Sequence, residues 1–411
     1  MTASTAGIVA GRLPMTALLQ EPSYRRLWLS GLLVNIARWV DLVTMGWLAL
    51  QLTGSPFMVG LAAFARSAPL MVVGPFAGIV ADRMPRGRVL TIAQTTGMVA
   101  ALALAVVFAS GRGRYGVLVA FEVAFGLVWA LDFPARRTSL YALLGAPRVA
   151  QAVSLETVSM QIAKVLGPLA AGWCLSRVGP AACYALMAVM YAGGLAACAG
   201  LGGRLGTPGT TVVGSVGASM RAGLQAAWAS GTVRAVLMVT IAMNTLFFPY
   251  QHMLPVFARD VLAVGPLALG ALVAADGLGA LTGALVIASG WGRLDHRAVF
   301  GSAVMIAPLL LVALAGSRWL GVCVVILLVM GAAESGFATM QSTLVLLAAP
   351  ERLRGAVMGI LSACIGTQPL GTLAIGLLAA SLGSPRAFTL NALVSLAVII
   401  PLAIPLIRRR T

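Results

Sequence analysis

Nine ionisable side chains stand inside stretches of sequence that are otherwise apolar: Arg38, Asp41, Arg66, Glu122, Asp132, Glu156, Lys164, Asp276 and Glu334. A charge at the centre of a lipid-embedded helix costs about 2.5–3.5 kcal/mol on insertion scales, so this set would cost roughly 20 kcal/mol or more if it faced lipid. The groups must therefore face one another or a wet cavity. The chemistry open to them there is ion pairing, binding of a polar solute and carriage of a proton. Arg38 and Asp41, three residues apart, share one helical face at about 5–6 Å between Cβ atoms and are spaced to pair within their own helix. Asp41 is then the acid expected to bind and release a proton as that pair parts, with Arg38 as its partner. Lys164 is placed to meet an acid from another helix, and Arg66 is similarly deep. Asp276 and Glu334 have no basic neighbour in their own runs. With Asp41 and Glu122 they are the expected proton-coupling acids.

Around these charges stand residues suited to lining a cavity. Trp39 and Trp129 fall too deep for an interfacial belt, and the run around Asn244, Phe247 and Tyr250 mixes amide and aromatic groups. The expected binding set is Arg38, Asp41, Arg66, Trp129, Lys164, Asn244, Phe247, Tyr250, Asp276 and Glu334. His252, in the same aromatic run, is expected to pack rather than carry protons. Asp132 and Glu156 lie nearer the ends of their runs and suit a gate. No Gly-rich phosphate loop ending in Gly-Lys-Ser/Thr, catalytic triad or metal cluster is present, so neither an enzyme nor an ATP-driven pump is expected, and no cofactor. The five cysteines, an odd number in apolar runs without metal spacing, are read as packing residues.

The elements that hold these groups follow from composition. The chain has 411 residues, 60% hydrophobic and 9% charged, with a mean hydropathy of +0.98. Soluble domains carry about 25% charged residues, so the surplus apolar surface must face lipid. At roughly 20 residues per span, the apolar runs give twelve helices, near 28–51, 57–80, 88–110, 115–135, 150–175, 180–201, 234–257, 266–290, 298–316, 318–343, 355–380 and 386–407. The expected fold is an all-α membrane protein of twelve transmembrane helices in two pseudo-symmetric six-helix bundles. Residues 1–201 form the first bundle and 234–411 the second. Residues 202–233, rich in Gly, Ser and Thr, form a cytoplasmic linker with an amphipathic helix around 220–229. Gly167-Pro168-Leu169-Ala170-Ala171-Gly172 recurs half a chain later as Gly371-Thr372-Leu373-Ala374-Ile375-Gly376, and the shared offset of Gly179 and Gly383 supports two halves of parallel topology.

The net charge of +17 sits mostly on arginines in short loops. In a soluble protein that would suggest nucleic acid; between apolar runs it reports topology instead. The arginine bias places both termini in the cytoplasm and requires an even number of spans. Trp28, Trp228 and Trp291 would mark the inner interface, and Trp47, Trp173 and Trp319 the outer one. Met1–Gln20 lacks a compact apolar core with a cleavage site, so no removable signal peptide is expected.

Between the second and third runs the chain reads Gly78-Ile79-Val80-Ala81-Asp82-Arg83-Met84-Pro85-Arg86-Gly87-Arg88. This resembles the signature loop of the major facilitator superfamily. Gly167-Pro168 with Gly172 resembles a shortened antiporter motif of proton-coupled drug exporters. Asn35 through Pro56, Phe133-Pro134-Ala135-Arg136, Leu254 through Leu262 and Pro350 through Gly355 resemble the branch that includes enterobactin exporters and macrolide efflux proteins. Arg38 and Asp276 depart from that branch, where small or neutral polar residues are expected. The resemblance covers nearly the whole chain. It implies a cavity lined by the first, fourth, seventh and tenth helices, alternating access, and gating by Gly78, Asp82, Arg83 and Arg86, joined by Asp132, Glu156, Gly167, Pro168 and Gly172. It further implies proton-coupled export of a small organic molecule, such as a drug or siderophore, by a monomer in a bacterial inner membrane. The rival expectations are an organic-anion or metabolite carrier binding a carboxylate on Arg38, Arg66 and Lys164, a lysolipid transporter, and a non-transporting membrane sensor.

Overall fold

The computed structural model describes residues 15–201, 205, 216–289 and 295–408, the side chains of 72–83 and a few other positions excepted. In lipid every backbone amide must be satisfied within its own segment or its neighbours, which leaves helices as the solution for apolar runs of this length. Among the described residues twelve long helices result: α1 (Pro22–Thr53), α2 (Pro56–Arg83), α3 (Arg86–Ala109), α4 (Tyr115–Gly145), α5 (Gln151–Arg177), α6 (Pro180–Cys198), α7 (Gly231–Asp260), α8 (Pro266–Ala288), α9 (His296–Gly316), α10 (Leu320–Ala348), α11 (Arg354–Leu382) and α12 (Ser384–Arg408). A linker helix, Val216–Ala229, stands between the sixth and seventh.

Local chemistry sets most of the boundaries. Pro22, Pro56, Pro180 and Pro266 open their helices, where a missing N–H costs nothing and a fixed φ is already helical. Gly54 ends α1 at φ 67°, its amide closing onto the Leu50 carbonyl. The α4–α5 boundary was expected to leave a loop from 136 to 149. Instead α4 continues ten residues further, and a single residue, Gly145 at φ 67° and ψ 174°, breaks the helix. Only glycine takes that backbone readily. The extension carries Arg136 and Arg137, which find partners described below.

Two features position the site. First, small residues let helices of the two halves touch backbone to backbone. A Cβ on Gly172 of α5 would lie 2.7 Å from the Pro266 carbonyl oxygen and 3.1 Å from the Gly270 Cα of α8. A Cβ on Gly60 of α2 would lie 2.8 Å from the Thr372 carbonyl oxygen and 3.2 Å from the Gly376 Cα of α11. The glycines of the sequence repeat thus make two pseudo-equivalent seams. Pro255 of α7 wedges against Gly46 of α1, and the Arg259 guanidinium donates to the Leu50 carbonyl at 3.1 Å. All four contacts lie toward the ends away from the termini.

Second, α7 is not uniform. Met243–Phe247 is a π-helical turn, with the Phe248 amide reaching the Met243 carbonyl at 2.9 Å. The Asn391 side chain of α12 donates to the Leu246 carbonyl within that turn. A π-turn shifts the register of everything after it and is common at functional sites. Here it sets the azimuth of Tyr250 and Gln251.

Candidate functional site: two buried carboxylate–cation triads

The buried charges assemble into two triads, each with one cation and two carboxylates. In the first, Arg66 of α2 pairs with Asp41 of α1 and with Glu122 of α4, Nη1 to Oε2 at 3.2 Å. Gly126 of α4 sits against the Arg66 backbone, which brings α4 close enough for Glu122 to reach. The triad belongs wholly to the first six helices. The pairing differs from the expectation that Asp41 would bind Arg38 in its own helix. Arg38 instead lies over the Trp129 ring of α4, 4.0 Å from its centroid. A tight cross-helix guanidinium from α2 outcompetes the same-helix partner, and the Trp129 face holds the displaced guanidinium by cation–π attraction.

The second triad crosses the halves. The Lys164 ammonium of α5 lies 2.8 Å from Asp276 Oδ2 of α8 and 3.2 Å from Glu334 Oε2 of α10. Glu334 has further donors from α7: the Tyr250 hydroxyl at 2.8 Å and the Gln251 amide at 3.2 Å. Asp276 and Glu334 lack a basic neighbour in their own helices, as the sequence indicates, yet Lys164 supplies one across the interface. Close packing makes this possible. Gly277 of α8 sits against the Lys164 backbone, and Gly331 of α10 sits against Asp276. Lys164 also lies 5.6 Å from the Trp39 ring centroid. All six triad side chains are buried.

The remaining sequence candidates fall elsewhere. Asp132 forms a bidentate pair with Arg136 at 2.9 and 2.8 Å, and the same guanidinium donates to the Leu27 carbonyl of α1 at 3.0 Å. Glu156 lies 3.7 Å from Arg137. Both pairs join α4 to its neighbours within the first half, toward the termini. Arg86 donates to the Leu205 carbonyl at 3.4 Å. Gly78, Asp82 and Arg83 belong to the last turns of α2, where side chains lie outside the described residues. Gly167 packs on Trp39 and Ile36 of α1, and Pro168 leads into the Gly172 seam. Asn244 donates to the Thr240 carbonyl of its own helix at 2.9 Å. Phe247 is fully buried in an aromatic cluster with Phe248 and Tyr250. His252 is buried behind them. The five cysteines are buried and unbridged.

Sequence reasoning missed Gln251 and the π-turn that aims it. The signal was present in Asn244 and Pro249 bracketing a run without the usual helix breaks, but neither residue alone forces a π-turn. A cavity of about 260 Å³ opens at the termini-side ends of α7, α9 and α10, lined by Thr232, Asp295, His296 and Leu344 among others. It holds none of the candidate residues.

Known proteins resemble this chain in sequence and in fold. A family model described as a transmembrane secretion effector matches residues 14–409. Over 360 residues the chain is 25% identical to the multidrug efflux pump Tap of Mycolicibacterium fortuitum, covering 85% of this chain and 87% of that one. Over 163 residues it is 23% identical to the staphyloferrin A transporter of Staphylococcus aureus, covering 39% of this chain and 41% of that relative's length. Among solved structures, a bacterial homologue of the human lysosomal transporter Spinster, inward-facing and unoccupied, matches with a TM-score of 0.74 at 13% identity, covering 95% of this chain and 99% of the other. At that identity the likeness is one of fold alone.

Proposed function

The chain belongs to the transmembrane secretion effector family of the major facilitator superfamily, and on that premise we propose that it is a secondary active exporter, exchanging protons for a small organic molecule of drug or siderophore type across a bacterial cytoplasmic membrane. The observation that carries this reading is Lys164. A cation of the first half is gripped by two acids of the second, at the interface that alternating access must open and close. With both acids ionised the triad carries one surplus negative charge; with one proton it is neutral. A proton therefore weakens the hold on Lys164, and its departure restores it. Asp41 and Glu122, sharing Arg66, form the second pair of coupling acids. In this reading, rocking of the halves opens a cavity between α1, α4, α7 and α10, where the substrate meets Arg38, Trp129, Asn244, Phe247 and Tyr250.

In this reading residues 1–201 and 234–411 rock against each other about the linker at 202–233, as a monomer with both termini cytoplasmic. The packed ends of α2, α5, α8 and α11 then make the structure closed to the outside. Gly167, Pro168 and Gly172 serve the outer gate. Gly78, Asp82, Arg83, Arg86, Asp132 and Glu156 serve the inner one.

The test is proton flux in proteoliposomes holding a trapped pH-sensitive dye, under an imposed gradient. The panel comprises siderophores, macrolides, cationic dyes and small carboxylates. We expect one class to dissipate the gradient, and Asp276→Asn and Asp41→Asn to stop it while substrate binding persists. Proton flux unchanged in both variants overturns the coupling assignment.

A second reading has one observation in its favour. Arg66 and Lys164 are each neutralised by two acids. Arg38 has no carboxylate within ion-pair reach among the described residues and is only half-buried. An organic-anion carrier would place its substrate's carboxylate there. Strict competition by small carboxylic acids, with no proton movement, would favour that carrier over the exchanger.

A further inference from the structure

The linker helix Val216–Ala229 has two faces, one seated on α11 and the other carrying exposed apolar side chains. Gly223 and Ala227 are buried, with Gly223 seated on the first turns of α11. A Cβ there would lie 2.8 Å from the Ala356 Cβ and 3.3 Å from the Ile360 Cδ1. Met220, Leu224 and Trp228 follow at intervals of four, so they form one stripe along the helix, and they are 54%, 52% and 60% exposed. Exposed Arg221 and Gln225 flank the stripe. Beyond the helix the exposed Arg234 turns back, donating to the Trp228 carbonyl at 3.2 Å with its guanidinium 5.9 Å from the Trp228 ring centroid. Residues 216–234 contain two arginines and no acid. The neighbouring turn, Glu351–Leu353, adds one acid and one arginine, which leaves the local balance positive.

We propose that this helix is an interfacial anchor that binds anionic phospholipid. Its seat on the opening turns of α11 sets it at the level where a spanning helix enters the membrane. An apolar stripe ending in Trp at that depth belongs in the boundary between acyl chains and headgroups. Arg221 and Arg234, beside the stripe and with no acid in their own segment, meet lipid phosphates there. A basic side chain near an anionic surface strengthens binding about fivefold, so the pair favours anionic over zwitterionic lipid by roughly tenfold or more. Because the helix joins the two halves and rests on α11, lipid held there resists the sliding of α11 when the halves rock. The anchor does not depend on which substrate or ion is carried.

The test uses full-length protein carrying Leu224→Cys labelled with bimane; the five native cysteines are buried. Labelled protein is reconstituted in phosphatidylcholine vesicles with small fractions of brominated phosphatidylglycerol or brominated phosphatidylcholine. We expect both bromolipids to quench, the glycerol lipid at roughly tenfold lower fraction, and aqueous iodide to leave the label untouched. Arg221→Gln with Arg234→Gln should equalise the two lipids while quenching persists, which also shows that the variant remains folded and inserted. Iodide quenching without bromolipid quenching overturns the anchor. Quenching by neither agent places another segment or protein on the stripe and also overturns it. Equal quenching by the two bromolipids in the unmodified chain overturns the anionic preference.

Discussion

The two triads have the same composition and opposite mechanical consequences. Arg66, Asp41 and Glu122 come from α1, α2 and α4, so their attraction stays within one half whichever way the halves are turned. Lys164, Asp276 and Glu334 come from α5, α8 and α10, so their attraction is also an attraction between halves. Charge count alone does not separate them; the helices that supply the acids do, α1 and α4 in one case and α8 and α10 in the other. A guanidinium also holds its acids in a planar fork, whereas an ammonium is a compact point charge that can be handed from one acid to another. Under the proposed exchange, the rigid cation stays within one half and the ammonium spans the interface between the two.

The largest effect expected from that contrast is on Lys164→Met. Removing one member of a buried ion pair costs about 3–5 kcal/mol, and here it leaves two acids facing each other. Arg66→Met carries the same class of cost. Both variants should lower the unfolding temperature in detergent. Only Lys164→Met should shift spin-label distances between the outer ends of α2 and α11, toward separation. Equal shifts in both variants would erase the distinction between the triads. Adding Asp276→Asn and Glu334→Gln to Lys164→Met should recover most of the stability, because the uncompensated charge goes with the lysine.

Next in size are the acids themselves. Asp276→Asn is expected to reduce substrate-driven proton flux at least tenfold and to shift the same inter-half distances. Asp41→Asn is expected to reduce the flux comparably and leave those distances alone. A distance change on Asp41→Asn would mean that the first triad is linked to the interface after all.

Below these come the seams. Gly172→Leu and Gly376→Leu each insert a side chain where backbones touch, and overpacking of this kind costs about 1–3 kcal/mol. Because the two seams are pseudo-equivalent, both should bias the halves toward the opposite conformation to a similar degree. The readout is labelling of a cysteine placed at the outer end of α1. A one-sided response would show that a single seam carries the closure.

How much of this was legible depends on range. The twelve helices followed from apolar run length, because lipid admits few alternatives, and the proline and glycine boundaries followed from local backbone chemistry. The identity of the buried charges was equally plain, because each stands out against its run. Their pairing was not. Asp41 has one basic residue three positions away and another twenty-five positions away, and proximity in sequence favours Arg38. The other acid on Arg66 came through Gly126, whose missing side chain brings α4 onto α2 and Glu122 within reach. Lys164 needed Gly277 and Gly331 in the same way. Glycines that set helix spacing read in the sequence as generic membrane-helix glycines, so pairings that depend on them stay hidden. The π-turn in α7 has a partner distant in sequence, Asn391 of α12, which donates to the Leu246 carbonyl.

The smallest effect is expected at Arg38, and it decides between the two functional readings. Its guanidinium stacks on Trp129 at 4.0 Å, an attraction of about 0.5–2 kcal/mol. Arg38→Lys keeps the charge and loses the planar face, so the fold and both triads should persist with little change in unfolding temperature. If substrate is an organic anion held at Arg38, the loss of a bidentate, stacked partner should weaken binding by roughly tenfold, and Arg38→Gln by more. If substrate is cationic or neutral and coupling runs through the triads, Arg38→Lys should change affinity by no more than a few-fold and leave proton flux intact. Equilibrium binding of the active panel member to both variants separates the cases. Binding that falls in the order arginine, lysine, glutamine would move the anion site, and with it the carrier reading, ahead of the exchanger.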